Sequence, residues 1–299
     1  MKRTIVGIFM LAIFCAVIPI ARGDGFEFSG GVYTTIVGPG GALTTPYGIN
    51  NSGQIVGAYE AGPGFVDTGG TFTTISVPGS TYSYATGIND AGQIVGTFCN
   101  AADVCQGYLY TGGTFTTISV PGANTTQAFG INDAGQIVGT YSTGPRTFGF
   151  VDNGGTFTTI SVTNTGPTFA FGINNLGQIV GGYCPDNQGG GCGGFLDNGG
   201  TFTTIGESSS FRADGINDAG QIVGCDGEPC QGFLDNGGTF TAIPQFPGSM
   251  PGSYSQAWGI NDGGEIVGVY TPAQVPEPGT LMLLSTGIIG LFGIRRQRK

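Results

Sequence analysis

The sequence predicts an all-β protein, a six-bladed β-propeller built from four-stranded repeats of about 42 residues, and three observations predict it. One decapeptide, Gly48-Ile49-Asn50-Asn51-Ser52-Gly53-Gln54-Ile55-Val56-Gly57 in its first copy, recurs at Gly87, Gly130, Gly172, Gly215 and Gly259, at spacings of 39, 43, 42, 43 and 44 residues. A second motif, Gly149-Phe150-Val151-Asp152-Asn153-Gly154-Gly155-Thr156-Phe157-Thr158-Thr159-Ile160 in its clearest copy, recurs at Gly25, Gly64, Gly107, Gly194 and Gly232. The array is out of phase at its ends: the second motif comes first and the decapeptide comes last, so one repeat is divided between the two ends.

Composition agrees with a repeat fold. Of 299 residues 60 are Gly and 16 Pro, which excludes a helix bundle. The apolar share of 39%, the charged share of 9% and a mean hydropathy of +0.15 are wrong for a disordered polymer. Thirty-six of the 60 glycines fall at fixed places in the two motifs, so they punctuate structure.

Taken in order, the chain begins with Lys2 and Arg3 before an apolar run from Ile5 to Ile20, then Ala21 and Gly23 as small residues at the −3 and −1 positions of a cut before Asp24. Residues 1–23 read as a signal peptide removed by signal peptidase, with Cys15 a passenger. The repeats occupy 24–272. Asn-Asp-x-Gly, or Asn-Asn-x-Gly in two repeats, between Gly-Ile and Gln/Glu-Ile-Val-Gly is turn chemistry and makes one hairpin, and a Gly-Gly turn, Asp-Asn-Gly-Gly in three repeats, makes another. Adjacent Ile and Val in Gln-Ile-Val-Gly point to opposite faces, as do Phe and Ile of Phe-Thr-Thr-Ile, so both faces of the sheet need neighbours. Completing the divided repeat from both ends closes a ring and hides two sheet edges. Tandem β-trefoils are the alternative, since a trefoil unit also has four strands of this length, but they leave the divided repeat unexplained.

Six cysteines follow Asp24, as Cys99/Cys105, Cys184/Cys192 and Cys225/Cys230, each pair flanking the connection between Gln-Ile-Val-Gly and the Gly-Phe/Tyr strand. Three equivalent hairpin positions predict three local disulfides, in keeping with export. A metal site is disfavoured because the chain has no His and the pairs sit on different repeats.

Residues 273–299 carry Val275-Pro276-Glu277-Pro278, an apolar stretch from Gly279 to Ile294, and Arg295, Arg296, Arg298 and Lys299. A helix of that stretch reaches roughly 24 Å, a marginal membrane span, with its basic end held cytoplasmic. The order of these three parts resembles a PEP-CTERM sorting signal. The resemblance implies a Gram-negative bacterium, transient anchoring in the inner membrane, processing by an exosortase, and delivery to the cell surface, outer envelope or exopolysaccharide matrix. The repeats themselves, over about 25–270, resemble the HAF-type extracellular repeat family, which implies an extracellular module. They depart from it where the family has His-Ala-Phe: here the aromatic strand starts Gln106-Gly107-Tyr108 or Gln231-Gly232-Phe233.

Catalytic machinery is scarce. Without His, and without Lys between 24 and 298, Ser-His and Ser-Lys nucleophile pairs cannot be built. Only Arg146 and Arg212 lie between 24 and 275, too few for an arginine cluster on a carboxylate. Most aspartates occupy the repeated turns, and no calcium-loop motif occurs. With 18 acids against those two arginines the repeat region carries −16, which excludes nucleic acid as a partner. No cofactor is expected.

A binding site belongs where the repeats stop repeating. The residue before Gly-Ile-Asn reads Tyr47, Thr86, Phe129, Phe171, Asp214 and Trp258. Aromatics at four of six equivalent places suit a stacking surface for sugar rings and equally suit packing between repeats. The Arg212/Asp214 pair, and Glu265 where five repeats have Gln, are further exceptions. The sequence therefore predicts a monomeric, non-enzymatic binding and scaffold protein with extracellular polysaccharide as partner. The alternative is a polysaccharide hydrolase or lyase using carboxylates on the propeller face.

Overall fold

The computed structural model describes residues 24–60, 62–163, 165–185, 192–206, 210–247 and 253–271; the expected signal peptide, sorting segment and apolar helix within it lie outside them. The described residues form six four-stranded antiparallel sheets. In the first blade the strands run outward as Thr44–Ile49, Gln54–Tyr59, Gly64–Thr68 and Thr71–Ile75. Four more blades follow within 82–118, 125–160, 168–205 and 212–242. The sixth is composite: its inner strands Tyr254–Ile260 and Ile266–Thr271 come from the end of the chain, its outer strands Asp24–Ser29 and Val32–Ile36 from the beginning. Asp24 pairs with Tyr270 and Phe28 with Ile266, so the ring is latched by backbone pairing between the two ends. The innermost strands pack against one another in sequence around the ring, the last against the first, which is a six-bladed propeller and excludes the paired trefoils.

The core lies between blades, and the motifs say why. Val56, Val95, Val138, Val180, Val223 and Val267 are fully buried, as are Phe26, Phe65, Tyr108, Phe150 and Phe195 of the third strands. Each cluster joins two blades: Val95 of the second packs with Ala128, Ile131 and Phe150 of the third. Full burial of each such side chain contributes about 2 kcal/mol. The Gly closing each Gln-Ile-Val-Gly is required by this packing. A Cβ on Gly139 would stand 2.8 Å from the Phe150 ring and would overlap the Gln127 carbonyl oxygen.

In the outer strands the expectation of burial on both faces holds only in part. Ile is buried, Phe is half-buried or exposed, and most of the threonines face solvent, because blades diverge with distance from the axis. Asp67, Asp152, Asp197 and Asp235 accept from the backbone N–H three residues on, at 2.6–2.8 Å, and so fix the outer hairpins. Cys99–Cys105, Cys184–Cys192 and Cys225–Cys230 are disulfide-bonded at the equivalent connection of three blades.

Candidate functional site: the central channel

The innermost strands read Ala-x-Gly-Ile, and each residue of that run has a separate task. Ala85, Ala128, Ala170, Ala213 and Ala257 are wholly buried, with Pro46 in their place in the first blade. The residue x is bulged out of the ladder in all six blades, between Pro46 and Gly48, Ala85 and Gly87, and so on to Ala257 and Gly259. A bulge re-aims a side chain; here it turns x into the channel. The following Gly faces the next blade's x carbonyl, which a Cβ would meet at 2.6–3.1 Å. Side-chain-free glycines thus let six strands crowd around one axis.

The resulting cavity has a volume of about 100 Å³ and is walled by Tyr47, Thr86, Phe129, Phe171, Asp214 and Trp258. Tyr47 and Trp258 meet edge to face at 5.5 Å between ring centroids, and Phe129 and Phe171 do so at the same distance. Arg212, two residues before Asp214 on one strand, lays its guanidinium over Trp258 at 4.5 Å and Phe171 at 5.5 Å. Its Nε is 2.7 Å from Asp214 Oδ1. Asp214 is 5% exposed, and burial pushes its carboxyl up to about 7 against the opposing pull of Arg212. Its second oxygen, Oδ2, meets no donor among the described residues. Thr86, three blades away and therefore across the axis, donates to the Ala128 carbonyl at 2.9 Å.

One end of the channel is encircled by two hydrogen-bonded rings, which line a further cavity of about 80 Å³. Asn50, Asn89, Asn132, Asn174, Asn217 and Asn261 each donate Nδ2 to the carbonyl of the next blade's Asn at 3.0–3.1 Å, and Asn261 returns to Asn50. One position on, Asn51, Asp90, Asp133, Asn175, Asp218 and Asp262 each donate a backbone N–H to the next blade's side-chain oxygen at 2.7–2.9 Å, again closing the circle. The four aspartates of this set, read from sequence as turn residues, are therefore latches between blades, while the preceding Asn fixes the turn, as Asn132 Oδ1 does by accepting from Gln136 N at 2.9 Å. Sequence reasoning missed these rings, although the six-fold recurrence of Asn was the signal that could have disclosed them.

Of the residues singled out from sequence, Tyr47, Phe129, Phe171, Asp214 and Trp258 line the channel together and Arg212 joins them. Glu265 does not. It sits in the turn and accepts from Asn261 Nδ2 at 2.6 Å, the bond that Gln makes elsewhere. Among the described residues no group of three or more His, Cys, Asp or Glu is placed to hold a metal ion, and no helix is long and apolar enough to cross a membrane.

Residues 274–299 match the family model described as the PEP-CTERM protein-sorting motif. The motif marks an exported, exosortase-sorted protein of a Gram-negative bacterium, destined for the cell surface or the exterior. No curated protein matches the chain. Among solved structures it is similar to TolB from Acinetobacter baumannii, at 11% identity and a TM-score of 0.53, over 89% of this chain and 68% of that one. It is also similar to a lectin from Aleuria aurantia, at 13% identity and a TM-score of 0.46, over 86% and 90% of the two chains. For a gluconolactonase-like protein the identity is 13% and the TM-score 0.45, over 79% and 94%. At these identities the likeness is one of fold.

Proposed function

We propose that the protein is a non-enzymatic binding and display module of the cell surface or exopolysaccharide matrix, and that it takes the end of a glycan chain at the open mouth of the channel. The observation that carries this reading is the convergence of the six varying positions before Gly-Ile-Asn on one cavity, with aromatic walls and a buried carboxylate. Aromatic faces receive C–H surfaces and the carboxylate receives a hydroxyl donor, the two complementary halves of a sugar. The cavity of about 100 Å³ is smaller than the ~150 Å³ that encloses a benzene ring. It therefore admits an exocyclic group such as a hydroxymethyl, with the pyranose remaining outside.

The same geometry argues against hydrolysis. A glycosidase sets two carboxyl groups roughly 5–10 Å apart across the scissile bond, whereas Asp214 is the single acid among the channel-lining residues and Glu265 serves a turn. The resemblance of the repeats to HAF-type extracellular modules supports the same placement, as does the apolar tail, which would hold the protein at the inner membrane until exosortase releases it. The test is a glycan array on the disulfide-intact mature protein, with and without calcium, followed by titration of the best ligand. Binding that weakens about ten-fold in Trp258→Ala is expected. Failure to bind any polysaccharide, from the producer or elsewhere, would sink the glycan reading.

A further inference from the structure

A second cavity, about 430 Å³, opens outside the channel between the first and second blades. Its volume falls in the range of small-ligand pockets, roughly 300–1,000 Å³, and it can hold the whole pyranose that the channel excludes. One wall is the connection that follows Tyr59 in the first blade and presents Glu60; the other is the crossing into the second blade, with Ser80, Thr81, Tyr82 and Tyr84. Tyr82 and Tyr84 stand two apart on one strand, and their rings lie 5.6 Å apart at 43°, two adjoining faces on one side of the groove. No other repeat has this pair: the equivalent places read Leu43/Thr45, Thr125/Gln127, Pro167/Phe169, Ser210/Arg212 and Tyr254/Gln256.

The walls are fixed in advance. Glu60 N–H donates to the Leu43 carbonyl at 3.1 Å, and Tyr59 N–H to the Pro63 carbonyl at 3.2 Å. Thr81 N–H donates to the carbonyl of Cys99 at 2.9 Å, which ties that wall to the Cys99–Cys105 disulfide. Ser80 spends its hydroxyl proton on the Val77 carbonyl at 2.7 Å, so toward the groove its oxygen is an acceptor. The lining thus offers ring faces, hydroxyl oxygens and one carboxylate, with no Arg or Lys. A uronic or sulfated sugar would find no cation here and would face Glu60 within a domain of net charge −16. A ligand with apolar C–H faces, several hydroxyl donors and no charge fits each feature.

We propose that this groove binds an uncharged pyranose unit of the glycan, with Tyr82 and Tyr84 as the stacking platform and Glu60 and Ser80 as acceptors. The proposal rests on the glycan reading above and gives it a ligand class. Tyr84 precedes Thr86 by two residues on the same inner strand, so the groove and the channel share that strand.

Calorimetric titration of the mature protein with uncharged methyl hexosides, neutral tetrasaccharides and an oligogalacturonate tests it. Thr81→Trp, at an exposed position, fills the groove, and Tyr84→Ala removes a ring face; each should weaken neutral-sugar binding about ten-fold or more with unchanged circular dichroism. Glu265→Gln, in a turn outside both cavities, should leave methyl hexoside binding unchanged, and Glu60→Gln should narrow the preference for neutral over uronic ligands. Sugar binding that is lost in Trp258→Ala and untouched by Thr81→Trp would overturn the groove and leave the glycan reading standing. A preference for the oligogalacturonate would overturn the ligand class, and absence of binding to all of them would overturn both.

Discussion

Replacing Asn132 by Ala should destabilise the propeller by about 2–4 kcal/mol, although the residue belongs to no hydrophobic cluster. Asn132 is 3% exposed and its side chain makes three bonds: Nδ2 to the Asn174 carbonyl at 3.1 Å and to Gln136 Oε1 at 2.9 Å, and Oδ1 from Gln136 N–H at 2.9 Å. The Asn174 carbonyl keeps a second partner, Gly177 N–H at 3.0 Å, and loses about 1 kcal/mol. The Gln136 N–H is left without its acceptor, at about 1–3 kcal/mol, while the Gln136 side chain can turn to water. Urea unfolding followed by fluorescence of Trp258, the one tryptophan, reads the loss directly. In thermal melts it amounts to roughly 4–8 °C for a domain of this size. Asn132→Asp keeps the acceptor and sets an oxygen against two others, so it should cost at least as much. Asn261→Ala should match Asn132→Ala, since its bond to the Asn50 carbonyl has the same 3.1 Å length although it joins the two ends of the chain. A loss below about 1 kcal/mol for either Ala variant would refute the ring as a stabilising device.

Glu265→Gln restores the residue of the other five repeats and should change stability by less than about 0.5 kcal/mol in the same assay, with glycan binding unaltered. Burial raises the Asp214 carboxyl to about 7 in the folded protein from 3.8 when exposed, so the native state holds the extra proton and stability falls as pH rises through that window. The stability of wild type minus that of Asp214→Asn should therefore decline between about pH 4 and 7 and be level on either side; a flat difference would count against the buried carboxylate. Tyr108→Phe removes the hydroxyl that donates to the Tyr84 carbonyl at 3.0 Å, a bond the Phe-bearing blades do without, and should cost no more than about 1.5 kcal/mol by urea titration. Reduction of the three disulfides, which close loops of 5 to 8 residues, should cost about 2 kcal/mol each and leave the far-ultraviolet spectrum native, because three blades have none.

What was legible in the sequence is what repeats locally. Blade number, strand order, the divided blade and the cysteine pairing all follow from turns and alternation within some 40 residues, a range over which residue type dictates backbone directly. The rings were illegible because one residue does two things. Asn and Asp suffice for a turn, so their presence was already explained, and a bond from Asn132 to a carbonyl 42 residues on leaves no further mark. The groove was hidden for another reason: Tyr82 and Tyr84 read as ordinary strand alternation until the Glu60 connection of a different blade is brought across from them.

The position before Gly-Ile-Asn was visible as variable, but its aim depends on a bulge that pattern alone does not show. That bulge also explains the variation. Ala, Gly and Asn around x carry the packing, the close approach and the ring, whereas x is lifted out of the ladder and contributes little to any of them. Thr86 and Asp214 occupy the same place as Phe129 and Phe171 without disturbing the bonds on either side. Stability is thereby assigned to residues that recur and ligand choice to residues that do not, so the channel lining can change in one blade at a time while the ring that holds it stays closed.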